Sequence, residues 1–180
     1  DTVTGTSWSI NTLDDATTYD FYIQSNCMST NGSMSPWVGP ITVDVPCSPT
    51  AAPFADGFEN KPAAYGNSIN PNLPDCWTYS VNSNPGNSYS YASTSSFSSY
   101  SGTGYLYNRQ SNVAGDTVVV SLPMIEDLNQ GGLQLKFWAR TSSTTYPGQM
   151  SVATTDAAGN YSSAVVAKNM NVGSTTYQQY

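Results

Sequence analysis

The stretch Leu13-Asp14-Asp15-Ala16-Thr17-Thr18-Tyr19-Asp20-Phe21-Tyr22-Ile23 decides the fold of the first part of the chain. A leucine and a short polar turn lead into a run in which large apolar residues recur at every second position, the pattern of a β-strand. A tyrosine at the start of such a strand can form a tyrosine corner, in which its hydroxyl bonds back to the preceding turn. We therefore expect Tyr19, Phe21 and Ile23 to face inward.

The rest of the chain shows the same preference for strands. Helical periodicity is absent, and short runs rich in Val, Tyr, Phe, Thr and Trp recur between clusters of Gly, Pro, Asn and Ser. Alternation in Leu133–Arg140 places Leu133, Leu135 and Phe137 on a buried face and Trp138 on the solvent face. The sequence predicts an all-β chain made of two β-sandwich modules in tandem.

Proline marks the boundary between the two modules. Residues 46–53 contain three prolines and no strand pattern, so we expect a stiff linker there. The first module then comprises residues 1–45, with strands expected at 6–10, 18–25 and 38–43. The second module comprises residues 54–180.

The composition limits the classes of function. Only 9% of the 180 residues are charged, the net charge is −7, and histidine is absent. Nucleic-acid binding needs a basic patch and membrane insertion needs a long apolar run, and the sequence has neither. Without imidazole the commonest hydrolase sites are excluded, and pairs such as Asp14/Asp15 and Glu126/Asp127 are interpreted as solvated surface charge. The sequence predicts a protein that is not an enzyme.

The motifs of the first module resemble those of a known family. Leu13–Ile23, followed by Ser35-Pro36-Trp37 and Ile41-Thr42-Val43, resembles the last three strands of a fibronectin type III domain from secreted proteins of Bacteroidota. The first four strands of such a domain are not in this sequence, so Asp1 is not expected to be a natural domain start. The apolar face of the module should therefore be covered by other chain or left open. That face consists of Trp8, Ile10, Tyr19, Phe21 and Ile23.

The second module resembles the MAM and cleaved-adhesin group of jelly-roll domains. Its motifs follow the order of that family, whose last strands are not in this sequence. The motifs are Phe58-Glu59, Leu73-Pro74-Asp75-Cys76-Trp77-Thr78, Gly104-Tyr105-Leu106-Tyr107, Val118–Pro123 and Leu133–Arg140.

The three cysteines predict one disulfide bond. Cys27, Cys47 and Cys76 are too few for a disulfide scaffold or, without histidine, for a zinc site. One bridge and one remaining thiol fit an oxidising, extracellular compartment. The resemblance implies that Cys47 pairs with Cys76, which leaves Cys27 free or paired to a cysteine upstream.

The acidic residues around Gly57 form a candidate cation site. In related jelly rolls the glutamate of the Phe-Glu motif, here Glu59, helps to hold a structural cation, and calcium prefers such oxygen ligands. Asp56 and Asp116 are candidate co-ligands. The alternative is that Glu59 only bonds backbone amides.

Tyrosines among serines and asparagines form a candidate sugar-binding surface. Tyr89, Tyr91 and Tyr100 could present rings to a glycan, or they could instead pack the sandwich and keep their hydroxyls in water. In addition, Thr2 and Thr117 lie in Asp-Thr-apolar tripeptides that resemble O-glycosylation sites of Bacteroidota.

These features together predict a non-catalytic adhesive or structural segment of a large secreted cell-surface protein. The resemblance implies an adhesin or a surface filament, such as those of gliding motility. The alternative is that the modules are accessory or carbohydrate-binding parts of a secreted multidomain hydrolase. The expected partners are a surface polysaccharide, another surface protein and the rest of the protein's own longer chain.

Overall fold

The computed structural model describes residues 2–5, 7–26, 32–62, 72–82, 87–95, 98–111, 113–156 and 163–180. The described chain is all-β, as predicted, and its strands form five two-stranded antiparallel sheets. A 3-10 turn lies at Leu128–Gln130. The strands are β1 Thr18–Ile23, β2 Val38–Asp44, β3 Thr78–Asn82, β4 Tyr89–Thr94, β5 Gly104–Arg109, β6 Thr117–Ser121, β7 Trp138–Ala139, β8 Gly148–Thr154, β9 Val165–Val172 and β10 Gln178–Gln179.

The chain divides into two compact units, Asp1–Ser48 and Pro49–Tyr180. Thr50, which lies inside the predicted linker, forms a parallel bridge with Ile125 of the second unit. Its amide donates to the carbonyl of Met124 at 2.7 Å, and its carbonyl accepts from the amide of Glu126 at 2.9 Å. The segment after Ser48 is therefore tied to the second unit by its backbone.

The first unit contains the predicted tyrosine corner. The hydroxyl of Tyr19 accepts a hydrogen bond from the amide of Asp14 at 3.0 Å and donates one to its carboxylate at 3.2 Å. Tyr19 lies in β1 and is half-buried beside Phe21, with ring centroids 6.3 Å apart. Antiparallel pairing with β2 places Tyr19 opposite Val43. The turn is thus fastened to the sheet through one side chain, as the sequence indicates.

The apolar face of this unit is open, and the unit differs from its prediction in one strand. Ile23 is 62% exposed, and between Phe21 and Ile23 the register shifts because β2 carries one extra residue there. Residues 7–10, the described part of the strand expected at 6–10, have no strand conformation. Trp8 and Ile10 are 48% and 39% exposed, as expected for an open face.

The described part of the second unit contains two hairpins, each enclosed by a pair of strands that are further apart in sequence. β4 pairs with β5 and β8 with β9 as neighbours in sequence, whereas β3 pairs with β6 across the β4–β5 hairpin. β5 and β6 coincide with the predicted runs that begin at Gly104 and Val118. Near the start of the unit, the rings of Phe58 and Trp77 lie 5.1 Å apart, so two of the motifs meet in space.

The predicted strand at 133–140 is much shorter in the structure. Only Trp138–Ala139 forms a strand, and the backbone bonds between Phe137 and Tyr180 extend its pairing with β10. Leu133 and Leu135 are 43% and 47% exposed, contrary to the buried face that alternation predicts. Residues 133–136 have no ladder partner in the part of the chain that the structure describes, so nothing there orients or covers their apolar face.

The described core centres on tyrosines of the β4–β5 hairpin. Tyr89 and Tyr91 are 5% and 7% exposed. The ring of Tyr91 lies 5.1 Å from that of Tyr107, its cross-strand partner, and 6.1 Å from that of Tyr89. Burial and the neighbouring Tyr105 raise the pKa of Tyr91 to about 12. We refer to Tyr89, Tyr91, Tyr105 and Tyr107 as the tyrosine cluster.

Candidate binding platform

An exposed pair of aromatic rings is the most distinctive surface feature of the second unit. Tyr100 and Trp138 stack face to face, with ring centroids 4.0 Å apart and planes inclined by 10°. Tyr100 remains 50% exposed and Trp138 41% exposed. Tyr177 meets Tyr100 edge to face at 5.5 Å. The stack therefore leaves ring surface accessible to a ligand while its members support one another.

The pairing of β7 with β10 explains which side chains surround the stack. Trp138 lies opposite Gln179, and Ala139 lies opposite Gln178. Because side chains alternate along a strand, Trp138 and Gln179 share one face with Arg140 and Tyr177. The guanidinium of Arg140 lies 5.3 Å from the centre of the Tyr177 ring, in agreement with this arrangement. We refer to Tyr100, Trp138, Arg140, Tyr177 and Gln179 as the aromatic platform.

A hydrogen-bonded loop carries Tyr100 to the platform. The amides of Ser98 and Ser99 both donate to the carbonyl of Ser95, at 3.0 and 3.1 Å. The hydroxyl of Tyr177 donates to the carbonyl of Ser98, which fastens the loop to the residue before β10. The hydroxyl of Ser99 donates to the carbonyl of Gly102 at 2.9 Å. These bonds restrict the backbone on which Tyr100 is carried.

Glu59 anchors the far end of the same loop. Its carboxylate accepts the hydroxyl of Thr103 at 2.6 Å and the amide of Thr103 at 3.1 and 3.2 Å. These bonds, with a further one from the amide of Gly104, hold the pKa of Glu59 below its ordinary value of 4.5. Gly102 has a φ of 60°, and a Cβ there would collide with the carboxylate. Glu59 thus bonds backbone amides, which was one of the two alternatives for this residue. It also accepts a bond from the hydroxyl of Thr103.

The other two candidate cation ligands serve different parts of the unit. Asp56 accepts the amide of Phe58 at 2.7 Å, which closes a local turn. Asp116 is 1% exposed and accepts the hydroxyls of Ser88, at 3.3 Å, and Ser111. Within the described ranges no group of three acidic, cysteine or histidine residues is positioned to hold a metal ion. The structure does not bring Glu59, Asp56 and Asp116 together.

The three tyrosines proposed to face a glycan separate into two classes. Tyr89 and Tyr91 are buried, so they belong to the packing alternative, whereas Tyr100 presents its ring to solvent. Sequence reasoning did not select the partner ring, Trp138, as a site residue. The signal was present, since alternation places Trp138 on the solvent face of its strand, where an exposed tryptophan is unusual.

Cys47 and Cys76 are both disulfide-bonded, which fits the predicted pairing. Thr2 is exposed, and Thr117 is half-buried, with its hydroxyl 3.5 Å from the carbonyl of Gly115. Cys27 lies outside the described residues.

No protein-family model, curated protein or solved structure matches the chain. The geometry and chemistry of the chain itself must therefore carry any functional argument. Among the described residues, no helix is long and apolar enough to cross a membrane.

Proposed function

We propose that this chain is a non-catalytic adhesive and structural segment of a secreted cell-surface protein. The observation that carries the proposal is the exposed Tyr100–Trp138 stack, in which Trp138 lies in β7 and Tyr100 lies on a loop bonded to Tyr177 and to Glu59. An aromatic surface that is restrained before the ligand arrives is suited to binding. The resemblance of the two parts to fibronectin type III and cleaved-adhesin domains supports the same assignment.

The roles of the acidic side chains support a structural segment. The carboxylates of Glu59, Asp56 and Asp14 each accept hydrogen bonds that close or fasten a turn. Asp15 accepts the amide of Ser48 at 2.8 Å across 33 positions of the chain. Carboxylates used in this way stabilise loops between strands, and loops of defined shape are what a surface module needs in order to present a binding face.

Secretion is supported by the disulfide-bonded cysteines and by the low content of charged residues. A structural calcium ion remains part of the proposal, with Glu59 as its first ligand. Its test is the melting temperature of the protein with and without a chelator. A rise in melting temperature on adding calcium, lost in Glu59→Gln, supports the ion, and indifference to both calcium and chelator removes it.

The second candidate function is an accessory module of a secreted hydrolase. The same aromatic platform favours it, because a module that binds a polymer also serves an enzyme that degrades one. The two functions differ in the longer protein: a series of β-sandwich modules supports the adhesin, and a catalytic domain supports the accessory role.

The proposal is tested with the 180-residue chain displayed on beads. Bead retention under flow is measured on polysaccharide-coated, protein-coated and bare polystyrene surfaces, with bovine albumin beads as control. We expect retention on at least one of these surfaces. Retention no greater than that of albumin on every surface, or release of reducing ends from a polymer that stops on changing one of the chain's own carboxylates, would overturn the proposal.

A further inference from the structure

We propose that the aromatic platform binds the pyranose rings of a neutral polysaccharide. This inference rests on the proposed adhesive function and specifies its ligand. Its geometric basis is the Tyr100–Trp138 stack, whose two rings are 50% and 41% exposed, with Gln179 and Arg140 on the same face. The axial C–H groups of a pyranose pack on an aromatic ring, and its hydroxyls accept and donate hydrogen bonds at the ring's edge.

The difference between the platform and the tyrosine cluster supports a binding role. The same unit buries Tyr89 and Tyr91 to 5% and 7% exposure, so the fold can enclose aromatic rings where packing requires it. At the platform the rings lie close together but stay accessible, and the bonds from Tyr177 to Ser98 and from Thr103 to Glu59 fix the loop in advance. A surface ordered before binding loses little conformational entropy when the ligand arrives.

The polar neighbours favour a sugar over a protein partner. A protein interface has an apolar centre of several residues inside a polar rim. On the face that carries the rings, the described neighbours are the polar side chains of Arg140 and Gln179. Amide and guanidinium groups beside one ring stack can bond to the hydroxyls of a pyranose while the rings pack on its C–H groups.

The charge of the chain favours a neutral polymer. With a net charge of −7, the protein repels a polyanion such as a uronate or a sulfated chain. Arg140 is the platform's cation, and its guanidinium lies against the ring of Tyr177. From this position the guanidinium can donate hydrogen bonds to the uncharged hydroxyls of a sugar. Such bonds need no negative charge on the ligand.

The test is native affinity electrophoresis of the full 180-residue chain in gels that contain dextran, mannan, a soluble β-glucan or, as the anionic arm, alginate. We expect at least one neutral polysaccharide to retard the protein. Trp138→Ala and Tyr100→Ala should each weaken that binding about tenfold, which is the upper end for one aromatic contact. The matched controls are Trp37→Ala and Tyr146→Ala, which remove exposed rings of 64% and 79% exposure elsewhere in the chain. The controls should bind like the parent protein.

Trp138→Phe guards against a folding failure, because it keeps a ring at the platform and should retain more affinity than Trp138→Ala. Circular dichroism of every variant reports the fold. Equal binding by the platform variants and their controls would overturn the assignment of the site. Retardation by alginate alone would overturn the neutral ligand. Bead adhesion to protein-coated surfaces without retardation in any gel would overturn this inference and leave the proposed adhesive function intact.

Discussion

Removal of the Tyr91 ring tests whether the tyrosine cluster holds the second unit together. Tyr91 is 7% exposed, and its ring contacts those of Tyr107 at 5.1 Å and Tyr89 at 6.1 Å. Truncating a buried aromatic residue to alanine costs about 3 to 5 kcal/mol, of which each aromatic pair supplies about 0.5 to 1.5 kcal/mol. We expect Tyr91→Ala to lower the free energy of unfolding by at least about 3 kcal/mol.

Urea denaturation followed by circular dichroism measures this loss. With a slope of about 1 to 3 kcal/mol per molar urea, the expected shift of the midpoint is about 1 to 3 M to lower urea. Tyr91→Phe keeps the ring but loses the hydrogen bond to Tyr105, so it should cost about 1 kcal/mol. Tyr146→Ala, at a position that is 79% exposed, is the control and should cost little. If Tyr91→Ala destabilises the protein no more than Tyr146→Ala, the cluster is not the core of this unit.

Three further predictions concern the disulfide and two titrating groups. Reduction, or the double change Cys47→Ser and Cys76→Ser, should lower the free energy of unfolding by about 3 to 4 kcal/mol, the loop-closure value for a loop of about 30 residues; an unchanged urea midpoint after reduction would contradict the predicted pairing. Because the pKa of Glu59 is lowered in the folded protein, its contribution to stability is present above pH 4.5 and is lost as the pH falls through the lowered pKa. The difference in melting temperature between the parent and Glu59→Gln should therefore disappear in acid, and a difference independent of pH would disprove this account. Because the pKa of Tyr91 is raised to about 12, the contribution of Tyr91 to stability should be fully present below pH 10 and be lost as the pH rises toward 12. A component of the tyrosinate absorbance that titrates near 12 should be missing from Tyr91→Phe.

Local signals in the sequence identified strands well where a strand and its turn are neighbours along the chain. The tyrosine corner is an example, because Tyr19 and Asp14 are five residues apart and their bond depends on one turn. β1 and β2 follow for the same reason from alternation between turn residues, and β5 and β6 coincide with runs that the jelly-roll resemblance implies. The strand expected at 133–140 shows the limit, because alternation identifies a face but not the partner that would cover it. In the described chain Leu133 and Leu135 have no such partner, and they are exposed.

The candidate site was less accessible from sequence because its members come from distant parts of the chain. Tyr100 was selected because serines and asparagines surround it in the sequence. Its role as a platform residue depends on Trp138, 38 positions later, and on Tyr177, which fastens the loop. Composition treats Tyr89, Tyr91 and Tyr100 as equivalent. The cross-strand pairing of β4 with β5 buries the first two, and the loop after β4 exposes the third.

Glu59 links the start of the second unit to the aromatic platform through the loop that carries Tyr100. The sequence offered two roles for this carboxylate, cation ligand or partner of backbone amides, and the structure shows its bonds to Thr103 and Gly104, by which it anchors the loop that carries Tyr100. A residue in this position acts on binding through another side chain, so Glu59→Gln should leave the rings in place but loosen the loop. Its effect on polysaccharide affinity should therefore be smaller than that of Tyr100→Ala and should be abolished when Tyr100 is already absent. A double-mutant cycle between Glu59 and Tyr100, measured by affinity electrophoresis, tests this coupling. Additive losses would mean that Glu59 stabilises the unit without positioning the ring.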